Sequence, residues 1–147
     1  MYATQRMNFK KYITCVAMLV CATFTEQPKA ADLYKITVDH TPLLVEIAQT
    51  PQAQRRGLQH RLSLPSNHGM LFVFMTPREI CMWMRDVPID LDVAFFNEQL
   101  QLVNIRSMKR LTDERHCSQG PISYALEVNR DWFKRNGIKK GALLHFE

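Results

Sequence analysis

Residues 69–74 read GMLFVF, six positions without a single polar side chain. A run this short is below the length of a buried helix and at the usual length of a strand. Apolar side chains on both faces describe a strand covered on both sides. A chain that contains one must lay other elements over each face of its sheet. The remaining runs are also strand-like: 34–38 (YKITV), 43–48 (LLVEIA), 80–84 (ICMWM), 91–96 (LDVAFF), 100–105 (LQLVNI), 122–128 (ISYALEV) and 142–146 (ALLHF). They are short, rich in β-branched and aromatic residues, and separated by Pro, Gly, Asn and Asp. Thr50-Pro51 supplies a capping oxygen and a proline for the first helical position, and Gly57 a stop. Asn129 can cap a second short helix over 130–136, closed by Gly137. Residues 62–68 and 107–121 read as connections. Seven or eight short strands with two short helices predict a mainly β fold. It is expected to be a compact β-sandwich, jelly-roll-like, or a partly closed barrel.

The first thirty residues have a different character. Arg6, Lys10 and Lys11 precede an uncharged stretch, 12–24 (YITCVAMLVCATF), followed by the polar TEQPKAAD. That order is the pattern of a secretory leader, with an apolar core too short to span a membrane stably. The expected organisation is a signal peptide over 1–30 and one β domain over 31–147, with the start at Met1 or Met7. Pro28 makes a loose cleavage site after Ala30. A buried N-terminal helix or an uncleaved anchor is the alternative. Removing the leader removes four basic side chains (Arg6, Lys10, Lys11, Lys29) and one acidic (Glu26). The formal charge then drops from +5 to +2, with 15 basic against 13 acidic residues. Such a balance lacks the concentrated basic face expected of a nucleic-acid binder. The expectation is a periplasmic or secreted monomer with no membrane span after cleavage and no nucleic-acid partner. Two of the four cysteines, Cys15 and Cys21, leave with the leader. In an oxidising compartment Cys81 and Cys117 read as one disulfide; two separate buried thiols are the alternative.

Chemistry concentrates in residues 80–96, ICMWMRDVPIDLDVAFF. Strand alternation puts Ile80, Met82 and Met84 on one face and Cys81, Trp83 and Arg85 on the other. It likewise separates Leu91, Val93 and Phe95 from Asp90, Asp92 and Ala94. If the two strands neighbour each other in a hairpin-like unit, Arg85 reaches Asp90 or Asp92. The plain interpretation is a surface ion pair beside a turn. The binding interpretation is a pocket with Trp83 as its floor and Arg85 as an anion clamp, for an anionic or carbohydrate-like ligand. The catalytic interpretation is an envelope hydrolase. Same-face aspartates at 90 and 92 would lie ~7 Å apart, within the range of an inverting carboxylate pair. Glu127 alternates with Ser123 and Ala125, as a solvated strand carboxylate or an ion-pair partner of Arg61 or Arg85. Met82 and Met84, with Met70, Met75, Met108 and His116, raise a copper(I) alternative, against which methionine is an ordinary core filler. His40, His60, His68, His116 and His145 show no zinc spacing, and no phosphate-loop or dinucleotide motif is present. Neither a cofactor nor a metal site is expected.

Several segments together resemble a known family. RRGLQHRLSLPSNHGMLFVF (55–74), CMWMRDVPIDLDVAFF (81–96), HCS (116–118) and YALEVNRDWFKRNGIKKG (124–141) are similar, in order and spacing, to the bacterial and archaeal domain of unknown function 192. The resemblance covers most of residues 43–146. It implies one small, mainly β domain of sandwich or jelly-roll character, with no established activity. Exported members pair a cysteine before Met-Trp-Met with one in a His-Cys segment, which adds to the case for Cys81–Cys117. The family's polar positions map onto Arg56, Gly57, Arg61, Trp83, Arg85, Asp86, Asp92 and Glu127. Asp86-Val87 departs from the usual Asn-Thr, and Gly141-Ala142 from Gly-Asp. The resulting expectation is a ligand-binding or accessory module of the cell envelope, its partner a small molecule or an envelope component. Its working surface is Arg61, Trp83, Arg85, Asp86, Asp92 and Glu127. The alternatives are a hydrolase using Asp90, Asp92 or Glu127, and a copper protein using Met82 and Met84.

Overall fold

The computed structural model describes residues 32–147; the expected leader, with Cys15 and Cys21, lies outside the described residues. Nine strands and two short helices follow in the order β1 (Tyr34–Val38), β2 (Thr41–Ala48), α1 (Pro51–Arg56), β3 (His68–Arg78), β4 (Cys81–Met82), β5 (Leu91–Phe96), β6 (Leu102–Met108), β7 (His116–Cys117), β8 (Ile122–Asn129), α2 (Trp132–Arg135) and β9 (Leu144–Phe146). Seven strands form one sheet in the order β6-β5-β8-β3-β2-β1-β9. Only the β2–β3 pair is parallel, and the connection between those strands carries α1. The apolar run at 69–74 lies in β3, in the middle of this sheet. Gly69 is required there: a Cβ would sit 2.7 Å from the Glu127 carbonyl oxygen of β8.

The sheet curls until its two edges meet at one end. Gln101 bridges Leu143. Leu102 N–H donates to the Ala142 carbonyl (2.8 Å) and Leu144 N–H to the Leu100 carbonyl (2.9 Å). The result is a half-barrel, the partly closed form among those expected. All seven strands send side chains to its interior, including Ile36, Val38, Val45, Leu71, Phe96, Leu126, Val128 and Leu144, with Trp132 and Phe133 of α2 closing one end. A second core covers the outer face: Leu58, Met70, Phe72, Met84, Val87, Leu91, Val93, Phe95, Met108 and Ala125. Strand β5 belongs to both cores, and all six of its residues are buried.

Local signals place α1 as expected. Thr50 Oγ1 accepts the Ala53 N–H (3.1 Å), Pro51 occupies the first turn, and Gly57 (φ +46°) ends the helix. Three expectations need correction. Residues 80–84 are not the hairpin partner of β5. Only Cys81 and Met82 are extended, and they pair with Cys117 and His116 in a separate two-stranded ribbon. The second helix starts at Trp132. Asn129 does not cap it, because its side-chain amide donates to the Leu64 and Pro65 carbonyls (2.9 and 3.1 Å). The second strand starts at Thr41, not Leu43: Pro42 lies inside it, ahead of the first β3 pairing at Leu44, where its missing N–H leaves no ladder bond unmade.

Candidate functional site: a pocket over a buried carboxyl

Glu127 stands at the centre of β8 with Met70 of β3 and Val93 of β5 beside it in register. Its face is the outer one, shared with Ala125, as the alternation of ISYALEV requires. That face is not solvated here, because α1 and the β4–β7 ribbon lie over it. Glu127 is 4% exposed. Among the described residues its carboxyl makes no ion pair with Arg61 or Arg85. Burial pushes its pKa up from 4.5 to about 8, since removing the carboxylate from water penalises the charged form. Near pH 7 it is mainly a neutral acid, able to donate one hydrogen bond and accept others.

Glu127 lines a small cavity of about 70 Å³, shared with Arg55, Arg56, Leu58, Phe72, Trp83 and Arg85. Gln54, Gly57, Gln59, Cys81, Met82 and Val87 complete the lining. One wall is the end of α1. Gln54 anchors that helix by donating to the Val73 carbonyl (2.7 Å), and Gly57 brings its last turn onto the Phe72 ring. Arg55 and Arg56, in that last turn, stand at the rim. The opposite wall follows from β4. The Cys81–Cys117 disulfide ties it to β7, and Ile80 and Ser118 bond reciprocally (3.1 and 2.8 Å). Beyond β4 the chain turns between Met84 and Val87, with Met84 N–H donating to the Thr112 carbonyl (3.1 Å). Asp86 occupies the left-handed region of that turn (φ +59°), a conformation that asparagine and aspartate tolerate best among residues with a side chain. The Asp86 carbonyl accepts the His60 N–H (2.8 Å), joining the wall to the chain that leaves α1. Trp83 is half exposed. Arg85 is held at the surface by Asp113 (2.8 Å), and that carboxylate raises the guanidinium pKa.

The structure thus brings Arg56, Gly57, Met82, Trp83, Arg85 and Glu127 around one cavity and places Arg61, Met84, Asp86, Asp90 and Asp92 outside its lining. Arg85 does not meet Asp90 or Asp92, because β4 and β5 belong to different sheets. Asp90 instead accepts the Arg110 N–H (2.8 Å). Asp92 pairs in register with Val128, not Glu127, and so faces the barrel interior. There it accepts from Ser107 Oγ (2.7 Å) and the Asp131 N–H (2.8 Å), fixing the left-handed turn that launches α2. Asp92 lines a different hollow of about 320 Å³, with Ile105, Phe133, Ile138 and two lysines. Arg61 is engaged by both carboxylate oxygens of Glu46, with Nη2–Oε2 at 2.6 Å. Met82 lines the pocket, whereas Met84 is fully buried and Met75 is 91% exposed. Among the described residues no three His, Cys, Asp or Glu side chains cluster as metal ligands. No described helix is long and apolar enough to cross a membrane.

Gln54, Arg55 and Gln59 are the polar pocket residues that the sequence did not disclose. The available signal was two arginines in the last turn of an expected helix. What the sequence withheld was the strand over which that helix packs.

A curled seven-stranded half-barrel, with a neutral acid beneath a short helix and a crosslinked two-stranded ribbon, makes this a small, mainly β domain. Residues 34–146 match the family model DUF192, "Uncharacterized ACR, COG1430", and the chain belongs to that family. Two solved structures are similar. One is a Sinorhizobium meliloti 1021 protein described provisionally as a transcription regulator: TM-score 0.77, 26% identity, 82% of this chain and 98% of that one covered. The other is a protein of unknown function from Novosphingobium aromaticivorans DSM 12444: TM-score 0.76, 28% identity, 80% and 88% covered. The comparison with curated proteins returned no match.

Proposed function

We propose that this protein is an exported binding module of the cell envelope. In this reading residues 1–30 are removed and the monomeric remainder, periplasmic or secreted, takes a small ligand into the Glu127 pocket. The observation that carries the proposal is Glu127 itself: 4% exposed, with no hydrogen-bond or ion-pair partner for its carboxyl among the described residues, and lining a cavity rimmed by arginines. A buried ionisable group without a partner destabilises a fold, and folding alone would favour an apolar residue beside Met70 and Val93. Trp83 and Arg85 supply an aromatic surface and a cation at the mouth. A regulator role like that attached to the S. meliloti protein is less well supported, given the net charge of only +2 after leader removal.

The test is a small-molecule screen followed by amide chemical shifts on the isotope-labelled domain. Ligands that move the Gly57, Trp83 and Glu127 signals, and lose affinity in Glu127→Leu, support the reading. A diverse screen that moves none of them removes it. Cell fractionation with intact-mass measurement checks the export half: a processed chain, two daltons lighter than its reduced form, is expected outside the cytoplasm. A second reading, an envelope hydrolase, is favoured by a pKa close to neutral at Glu127, as general acid-base chemistry requires. Asp90 and Asp92 are already committed to backbone and hydroxyl donors, so Glu127 would act without a second carboxylate from that pair. Turnover that vanishes in Glu127→Gln while binding persists would replace the binding reading with this one.

A further inference from the structure

We infer that the ligand is an acidic sugar: a hydroxylated ring that inserts its hydroxyls toward Glu127 and leaves its anionic group among Arg55, Arg56 and Arg85. The inference rests on the pocket being a binding site and goes on to name the chemistry that fits it.

Charge is the first constraint. Arg55 and Arg56 have no carboxylate within ion-pair distance among the described residues, since the ion pairs found involve Lys35, Arg61, Arg85 and Arg130. Arg85 is shared with Asp113, and both are largely exposed. The rim therefore has an excess of positive charge and planar donors suited to carboxylate or phosphate oxygens. The one acid in the lining, Glu127, is protonated near neutral pH and does not cancel that excess.

Depth is the second constraint. A hollow of about 70 Å³ is far below the ~300 Å³ at which an ordinary small-molecule site begins. It admits a small group such as a pair of ring hydroxyls, and the rest of the ligand must lie across the mouth. At the base a neutral carboxyl can donate to one hydroxyl and accept from another, a pattern that a simple inorganic anion would not use. At the mouth the half-exposed Trp83, next to Met82 and Val87, offers a flat surface. Indole stacks well on the C–H face of a pyranose because one side of it is apolar and the rim is polar. A cationic ligand meets like charge at the rim, and a purely apolar one leaves Glu127 without a partner.

Binding is measured by amide shifts and calorimetry on the folded domain. The probes are glucuronate, galacturonate and mannuronate, their neutral hexoses, glucose 6-phosphate and a galacturonate trimer. At least one acidic sugar is expected to bind about tenfold more tightly than its neutral counterpart, the scale of one charge-assisted contact. The double variant Arg55→Gln/Arg56→Gln, altered only at exposed positions, should bring that ratio close to one. Glu127→Leu should weaken acid and neutral forms alike and leave the ratio intact. Tighter binding of the trimer assigns the ligand to a polymer end, and tighter binding of the monomer to a free acid. Equal affinity for acids and neutral sugars, or the absence of any acidic-sugar effect on pocket amides, overturns the inference. If another small molecule still moves those amides, the binding reading stands alone; if nothing does, both fall.

Discussion

Glu127→Gln should make the protein more stable at neutral pH, although Glu127 lies at the heart of its pocket. Glutamine has the same shape and cannot ionise. The native carboxyl releases its proton near pH 8 and the unfolded one near its ordinary 4.5. Between these values the native state holds a proton that the unfolded chain has released, so stability falls as pH rises. At 1.36 kcal/mol per pH unit the penalty reaches about 3 kcal/mol at pH 7 and levels off at about 5 kcal/mol above pH 8. Below pH 4.5 both states are protonated and the penalty is absent. The remaining ionisable groups are common to both proteins and drop out of the difference. Urea unfolding of wild type and variant, followed by tryptophan fluorescence between pH 4 and 9, reads this directly. The two stabilities should coincide at acid pH and separate between about pH 5 and 8, with the variant melting about 10 °C higher at pH 7. Parallel curves over that interval would refute the claim that burial alone holds the proton on Glu127.

Other perturbations separate structure from site. Reducing Cys81–Cys117, which closes a loop of 36 residues, should cost about 4 kcal/mol on the chain-entropy relation, seen as a lower urea midpoint with reductant. Gly69→Ala forces a methyl group into the β8 backbone and should cost about 2–3 kcal/mol by thermal melting. Arg61→Ala leaves Glu46 without its partner; with the guanidinium about one-third exposed, the loss should be about 1 kcal/mol, and pocket ligands should bind unchanged. Asp92→Asn weakens the hold on Ser107 and the Asp131 N–H and should lower stability by about 1–2 kcal/mol, again without affecting the pocket.

Much of the fold was legible because its signals are local. The Thr50-Pro51 start and Gly57 stop of α1 lie within eight residues, and β1 and β5 appeared at the expected bounds. Alternation also assigned faces correctly, placing Glu127 with Ala125 and Asp92 with Ala94. It could not say whether a face was covered. Glu127 read as a solvated carboxylate because nothing near it in sequence reports α1, seventy residues earlier, lying overhead. The register that opposes Glu127 to Val93 rather than Asp92 depends on how two distant strands slide past each other. The β4–β7 ribbon was invisible for another reason. Two residues per strand show no periodicity, and its partners are joined by a bond thirty-six residues apart.

Cys81 has a double position, half of the crosslink and part of the lining around Glu127. While its sulfur is still a thiol, that side of the hollow hangs on a few backbone links, chiefly Ile80 to Ser118 and Met84 to Thr112. A chain can therefore close its barrel before it fixes this wall of the hollow, and the second step waits on formation of the Cys81–Cys117 bond.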